Sequence, residues 1–122
     1  MAAFNYIRVP VTCPACSQTV TVEAQTHVAS SFGGADRRYC DHTYELGEQM
    51  TWWPEGHPKA TDWRDLDGNT IVRPNGRVAD GCWAKCSNCD TELCVVILFD
   101  DRRAIACESV TLATDPPPGI PF

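Results

Sequence analysis

The sequence has no stretch in which apolar residues recur at helical spacing between recognisable caps, so little or no helix is expected. It has no apolar run near the roughly 18 residues of a membrane-crossing helix. The longest run, residues 93–99 (LCVVILF), is only strand length, and no membrane partner is expected. The first residues, MAAFNYIRVPV, lack a basic segment followed by a long apolar one. No secretion signal is therefore read, and a cytoplasmic location is the expectation. H-E-x-x-H, a nucleophile elbow, a phosphate loop and the H-x-E/P-C-x-x-C pair of zinc deaminases are all missing, which removes the familiar routes to an enzyme. Basic residues are few. Ten Lys and Arg face sixteen Asp and Glu, for a net charge of −6. Only Arg37-Arg38 and Arg102-Arg103 are adjacent pairs. Phosphate backbones repel such a chain unless its cations cluster. The expected partner is a protein, a basic one in particular, with nucleic acid less favoured.

What is present is enough for one domain. The chain has 122 residues, 43% hydrophobic and 21% charged, and a chain of that length buries about two-thirds of its unfolded surface. The reading is mainly β: a domain over residues 1–114, with an inserted β segment at about 25–80 and a proline-rich tail at 115–122 (DPPPGIPF). Residues 4–12 are β-favouring, and 19–23 (TVTVE) alternate as a half-buried strand does. Residues 29–38 read as loop from their Ser, Gly and Asp content. Thr70-Ile71-Val72-Arg73 and Arg77-Val78-Ala79 flank Pro74-Asn75-Gly76, where Asn-Gly suits a type I′ hairpin turn. Residues 93–99 predict a central strand buried on both faces, and 104–112 its partner. The tail is polyproline-like or loose unless Phe122 docks.

Eight cysteines are the most informative feature. In a reducing compartment they read first as metal ligands and buried thiols. Cys13-Pro14-Ala15-Cys16 and Cys86-Ser87-Asn88-Cys89 are two CxxC turns, each between β runs. A CxxC turn presents two sulfurs on one side of a tight loop, and two facing turns complete the tetrahedron of a structural zinc site. Sixty-nine residues separate Cys16 from Cys86, far more than the ~15–20 of the simple paired pattern. The alternatives are disulfides, a redox CxxC and iron, which also accepts four thiolates. For redox work the second cysteine should open a helix, whereas Ser17 to Val22 reads as strand.

These two turns and their flanking strands resemble the zinc ribbon, a rubredoxin-like group of metal-binding β folds. The resemblance covers about the first 24 and last 40 residues. It implies Cys13, Cys16, Cys86 and Cys89 as ligands of one structural Zn²⁺. The family often carries Gly after the second Cys of each knuckle; here Ser17 and Asp90 stand there. A site closed by four cysteines leaves no open position for catalysis.

Of the other cysteines, Cys94 and Cys107 read as small core residues, Cys82 as a core thiol or substitute ligand, and Cys40, His42 and Cys82 as a second metal site or none. His27, His42 and His57 read as isolated turn or surface residues. Trp83 is expected to cover the core beside its knuckle. Trp52, Trp53 and His57, within WWPEGHP, are the candidate partner-binding residues, because Trp anchors interfaces with large area and few rotors. The functional expectation is a small acidic zinc-binding protein, non-catalytic, acting as an interaction module: an adaptor, subunit, inhibitor or immunity-type protein. The alternatives are a nucleic-acid-associated zinc ribbon and an enzyme whose carboxylates lie in the inserted segment.

Overall fold

Alternation decides the first two strands. β1 (Asn5–Thr12) buries Asn5, Ile7, Val9 and Val11 and exposes Arg8, Pro10 and Thr12. β2 (Thr19–Thr26) returns antiparallel, with Val9 opposite Val22 and Ile7 opposite Ala24. A period of two puts all these apolar residues on one side of the sheet. The computed structural model describes residues 4–33, 36–54, 56–58, 62–66 and 68–122. Among them every regular element is a strand, so the mainly β expectation holds.

β3 (Ser31–Gly33) and β4 (Asp36–Tyr39) form a separate two-stranded sheet, followed by β5 (Thr43–Glu45). The loop expected over 29–38 is therefore a short hairpin; composition weighted its glycines and polar residues and missed the pairing of Ser31 with Tyr39. β6 (Thr70–Val72), β7 (Val78–Lys85), β8 (Glu92–Asp100) and β9 (Arg103–Leu112) complete the main sheet, ordered β5-β1-β2-β7-β8-β9. β8 pairs with β7 along its full length, so β2 and β6 share the other edge of β7. β6 occupies Val78–Asp80, and β2 meets β7 at Trp83.

The β6–β7 hairpin forms where expected, but its turn is different. The Gly76 amide donates to the Arg73 carbonyl at 2.9 Å, Gly76 alone has positive φ (+85°), and Asn75 does not. Pro74 explains this: its ring fixes φ near −65° at the second turn position, a type I preference that passes the left-handed residue on to Gly76. Beyond β5, Gly47 turns at φ +84°, and the amides of Gly47 and Met50 donate to the carbonyls of Ala104 and Arg102, each at 2.7 Å. The sheet is thus curled, with its two ends joined through residues 47–50.

The concave face holds the main core, including Ile7, Val9, Val22, Val95, Ile97 and Phe99. Each such side chain contributes about 1.5–3 kcal/mol by leaving water. Asn5, fully buried, ties β1 across it: its amide donates to the carbonyls of Ala29 (3.0 Å) and Tyr39 (3.1 Å). A second, smaller cluster on the outer face holds Ala79, Cys94 and Val96 with Ile71, Leu98 and Ile120. β8 is therefore apolar on both sides, as its unbroken run predicts.

The outer cluster is covered by the tail. A Cβ on Gly81 would stand 2.7 Å from the Pro121 carbonyl oxygen and 2.8 Å from Ile120 Cγ2. The tail backbone fits only because residue 81 has no side chain. Proline-rich composition said this segment was neither helix nor strand; it could not say that residues 120–122 have a seat.

Candidate metal centre

Each CxxC turn lies at a strand end. The first joins β1 to β2, the second β7 to β8. The two are closely alike. The Ser17 amide donates to the Cys13 carbonyl at 2.8 Å and the Cys13 amide to the Gln18 carbonyl at 2.9 Å. The Asp90 amide donates to the Cys86 carbonyl at 2.9 Å and the Cys86 amide to the Thr91 carbonyl at 2.9 Å. Ser17 and Asp90 both take φ +62°, the left-handed conformation that suits glycine. The departure from the zinc-ribbon pattern is thus one of residue type and not of backbone path.

The turns aim amides at sulfur. Cys13 Sγ accepts from the Ala15 amide at 3.4 Å, and Cys86 Sγ from the amides of Asn88 (3.4 Å) and Cys89 (3.5 Å). The Asn88 side-chain amide reaches across to Cys16 Sγ at 3.4 Å. Such donors favour thiolate over thiol.

The four sulfurs all lie within 4.8 Å of one another. Cys13 Sγ is 3.8 Å from Cys89 Sγ, and Cys16 Sγ is 3.8 Å from Cys86 Sγ. That is far beyond a disulfide bond of ~2.05 Å. It equals the edge, about 3.8 Å, of a tetrahedron whose corners stand ~2.3 Å from its centre, the zinc–thiolate distance. The donor set fits a metal ion of that preference. Cys13 and Cys86 are buried, Cys16 is half-buried and Cys89 is exposed, so one edge of the cluster faces water.

Three of the thiols are pulled in different directions. The Asn88 amide and the Gln18 backbone bring Cys16 down to about 6, and the Thr91 hydroxyl and amide lower Cys89. Cys86 is pushed up to about 11: the backbone amides of Cys89 and Asn88 favour its thiolate, but burial and the neighbouring thiols outweigh them. Sulfurs at this spacing do not all ionise on their own, and a divalent cation removes that conflict.

Other predicted residues fall elsewhere. Among the described residues, no second group of metal-ligating side chains forms, so Cys40, His42 and Cys82 are not brought together as a site. Cys82 is buried, with its thiol 3.4 Å from the Asp80 carbonyl, and Cys94 is buried too. Trp52 packs on the main core. Trp53 stacks on His57 at 4.5 Å and meets buried Tyr39 at 4.6 Å with the rings tilted by 57°. Trp83 does not cover the main core; it lies on the outer face, with Nε1–H donating to Glu92 at 3.1 Å.

Sequence reading missed Asp80 and misread His27. Asp80 is fully buried in the middle of β7. Its carboxylate accepts from the Thr26 hydroxyl at 2.6 Å, the His27 amide at 2.9 Å and His27 Nδ1 at 3.4 Å. His27 is half-buried, and its hydrogen bond to Asp80, against the opposing effect of burial, raises its pKa. The available signal was an acid set inside an apolar strand, VADGCWA, since a charge is seldom placed there without partners.

No family model, no curated protein and no solved structure matches this chain. Its four-cysteine cluster is zinc-ribbon-like, and the chain is read as a metal-binding β protein on that geometry.

Proposed function

We propose that this chain is a non-catalytic zinc protein whose ion fastens the β1–β2 turn to the β7–β8 turn, and that it serves as a protein-interaction module. The observation that carries the reading is the cysteine cluster: four thiol sulfurs at tetrahedral spacing give a closed site, which suits structure and leaves no position for substrate. The same tetrahedron accepts iron, and elemental analysis separates the two: the reading expects one zinc per chain and none of the visible absorption of an iron–thiolate centre.

The Trp53–His57 stack supports an interaction role, because rings ordered before docking lose little entropy on it. The acid excess favours a basic partner. The nucleic-acid alternative draws less support. Arg8 sits between Glu45 (2.8 Å) and Glu23 (3.5 Å), Arg73 pairs with Glu108 at 2.8 Å, and Arg64 pairs with Asp62 at 2.6 Å. These cations are already engaged by carboxylates. The test is affinity capture from the native host by the zinc-loaded chain and by a Trp53→Ala/His57→Ala variant. A partner retained by the first and lost by the second supports the module; equal recovery by both removes Trp53 and His57 from the interface.

A further inference from the structure

β2 and β6 share one edge of β7 but leave an interval on it. β2 ends at Thr26, β6 begins at Thr70, and Gly81 lies between the stretches they pair with. A cavity of about 300 Å³ opens at this interval, a size within the usual range for small-molecule sites. Gly81 is its floor, and Phe4, Trp83 and Phe122 are aromatic walls. Gln25, His27 and Asn69 add polar groups to its lining. The tail supplies Phe122 because Gly81 lets residues 120–122 lie against β7.

Two of the three polar groups, His27 and Asn69, are held in place. Gln25 is paired with Trp83 across β2 and β7, so an amide and an indole stand side by side on one face. Among the described residues the Gln25 side chain makes no hydrogen bond of its own, which leaves its donor and acceptor for a ligand. Asn69 donates to Asp65 at 3.1 Å, which fixes the amide and keeps its oxygen available. His27 is fixed on two sides: Phe4 meets its ring edge-to-face at 5.1 Å, and buried Asp80 holds Nδ1. A carboxylate on one ring nitrogen orients the imidazole and leaves the other nitrogen for a ligand.

Charge narrows the ligand class. Among the described residues, the charged groups facing His27 are Asp80 from β7 and Asp65 from the 62–66 turn. Among the described residues no Lys or Arg lines the cavity, and His27 is the one lining group there that can carry a positive charge. A flat ring suits the walls, and edge donors and acceptors suit two amides and an imidazole.

We propose that this cavity binds an uncharged heteroaromatic ring with hydrogen-bonding atoms on its edge, of the nucleobase kind, stacked against Trp83 and read by Gln25, Asn69 and His27. The site lies on the outer face and is independent of the cysteine cluster.

The experiment is a two-dimensional ¹H–¹⁵N NMR titration of the full zinc-loaded chain with adenosine, uridine, AMP and benzyl alcohol. The result expected is saturable movement of the Trp83 indole N–H and the Gln25 and Asn69 side-chain amides with adenosine or uridine. AMP should bind no more tightly than adenosine, and benzyl alcohol, which lacks ring-edge donors and acceptors, about tenfold more weakly. Gln25→Ala and His27→Gln, each checked for an otherwise unchanged spectrum, should each weaken nucleoside binding about tenfold. The proposal is overturned by no saturable shift with either nucleoside up to about 10 mM, by benzyl alcohol binding as well, by AMP binding about tenfold tighter than adenosine, or by unchanged affinity in Gln25→Ala.

Discussion

Two places hold the long strands of this sheet together, and they do so by opposite means. At one, the two knuckles bring four soft sulfurs to tetrahedral spacing, and the proposed fastener is an ion. At the other, where β2 leaves β7 before β6 joins it, the fastener is a single buried carboxylate. Asp80 accepts the Thr26 hydroxyl and the His27 amide, both at the point where β2 stops. The first place concentrates its information in two short motifs; the second spreads it over residues 26, 27 and 80, and no two-residue pattern betrays it. A cation can serve donors brought from two distant turns. A carboxylate serves only donors already within reach, so it works inside the sheet and not between its ends.

The largest expected effect separates the two ends. Structural zinc contributes roughly 10–16 kcal/mol in finger peptides, which is as large as the whole stability of a typical domain, about 5–15 kcal/mol. Stripping the metal with a chelator should therefore unfold β1, β2, β7 and β8 together, as seen in loss of amide dispersion by NMR. Retention of the sheet with disorder confined to residues 13–18 and 86–91 would break the comparison, because the Asp80 end would then suffice alone.

Next comes Asp80→Ala. It orphans the buried Thr26 hydroxyl and the His27 amide, and should cost about 3 kcal/mol in denaturant unfolding while zinc content stays at one equivalent. Gly81→Ala ranks below it, at about 1–3 kcal/mol. The added methyl meets backbone at 2.7 Å, so the tail must lift, and amide exchange across 119–122 should accelerate.

A smaller effect is set by pH. Asp80 raises the pKa of His27, so the protonated ring is favoured by folding. Its contribution is fully present below the ordinary imidazole value of about 6.5 and is lost as pH rises through the folded value. Stability should fall across that window in the parent and not in Asp80→Ala. The smallest change is Arg8→Ala: its ion pairs with Glu23 and Glu45 are solvent-exposed and screened, and the melting midpoint should barely move.

The cysteine cluster was legible because CxxC is a local pattern with a fixed chemical purpose. β1, β2, β8 and β9 were legible through alternation or through an unbroken apolar run. The failures have two causes. The seat of the tail on Gly81 and the partners of Asp80 depend on contacts between residues distant in sequence, whereas the 31–39 hairpin and the outward place of Trp83 are set by backbone pairing that composition does not reveal. The turn at Pro74-Asn75-Gly76 differs because Pro74 bears on it through the φ it fixes at the second turn position, beyond its lack of an amide for strand pairing.

The central claim is that zinc joins Cys13, Cys16, Cys86 and Cys89. The most direct measurement is metal content with thermal melting for the parent and for Cys13→Ser combined with Cys86→Ser, one ligand removed from each knuckle. The account predicts one zinc per chain in the parent, and in the variant loss of the ion with collapse of the cooperative transition. A variant that keeps one equivalent of zinc and an unchanged melting curve would contradict it.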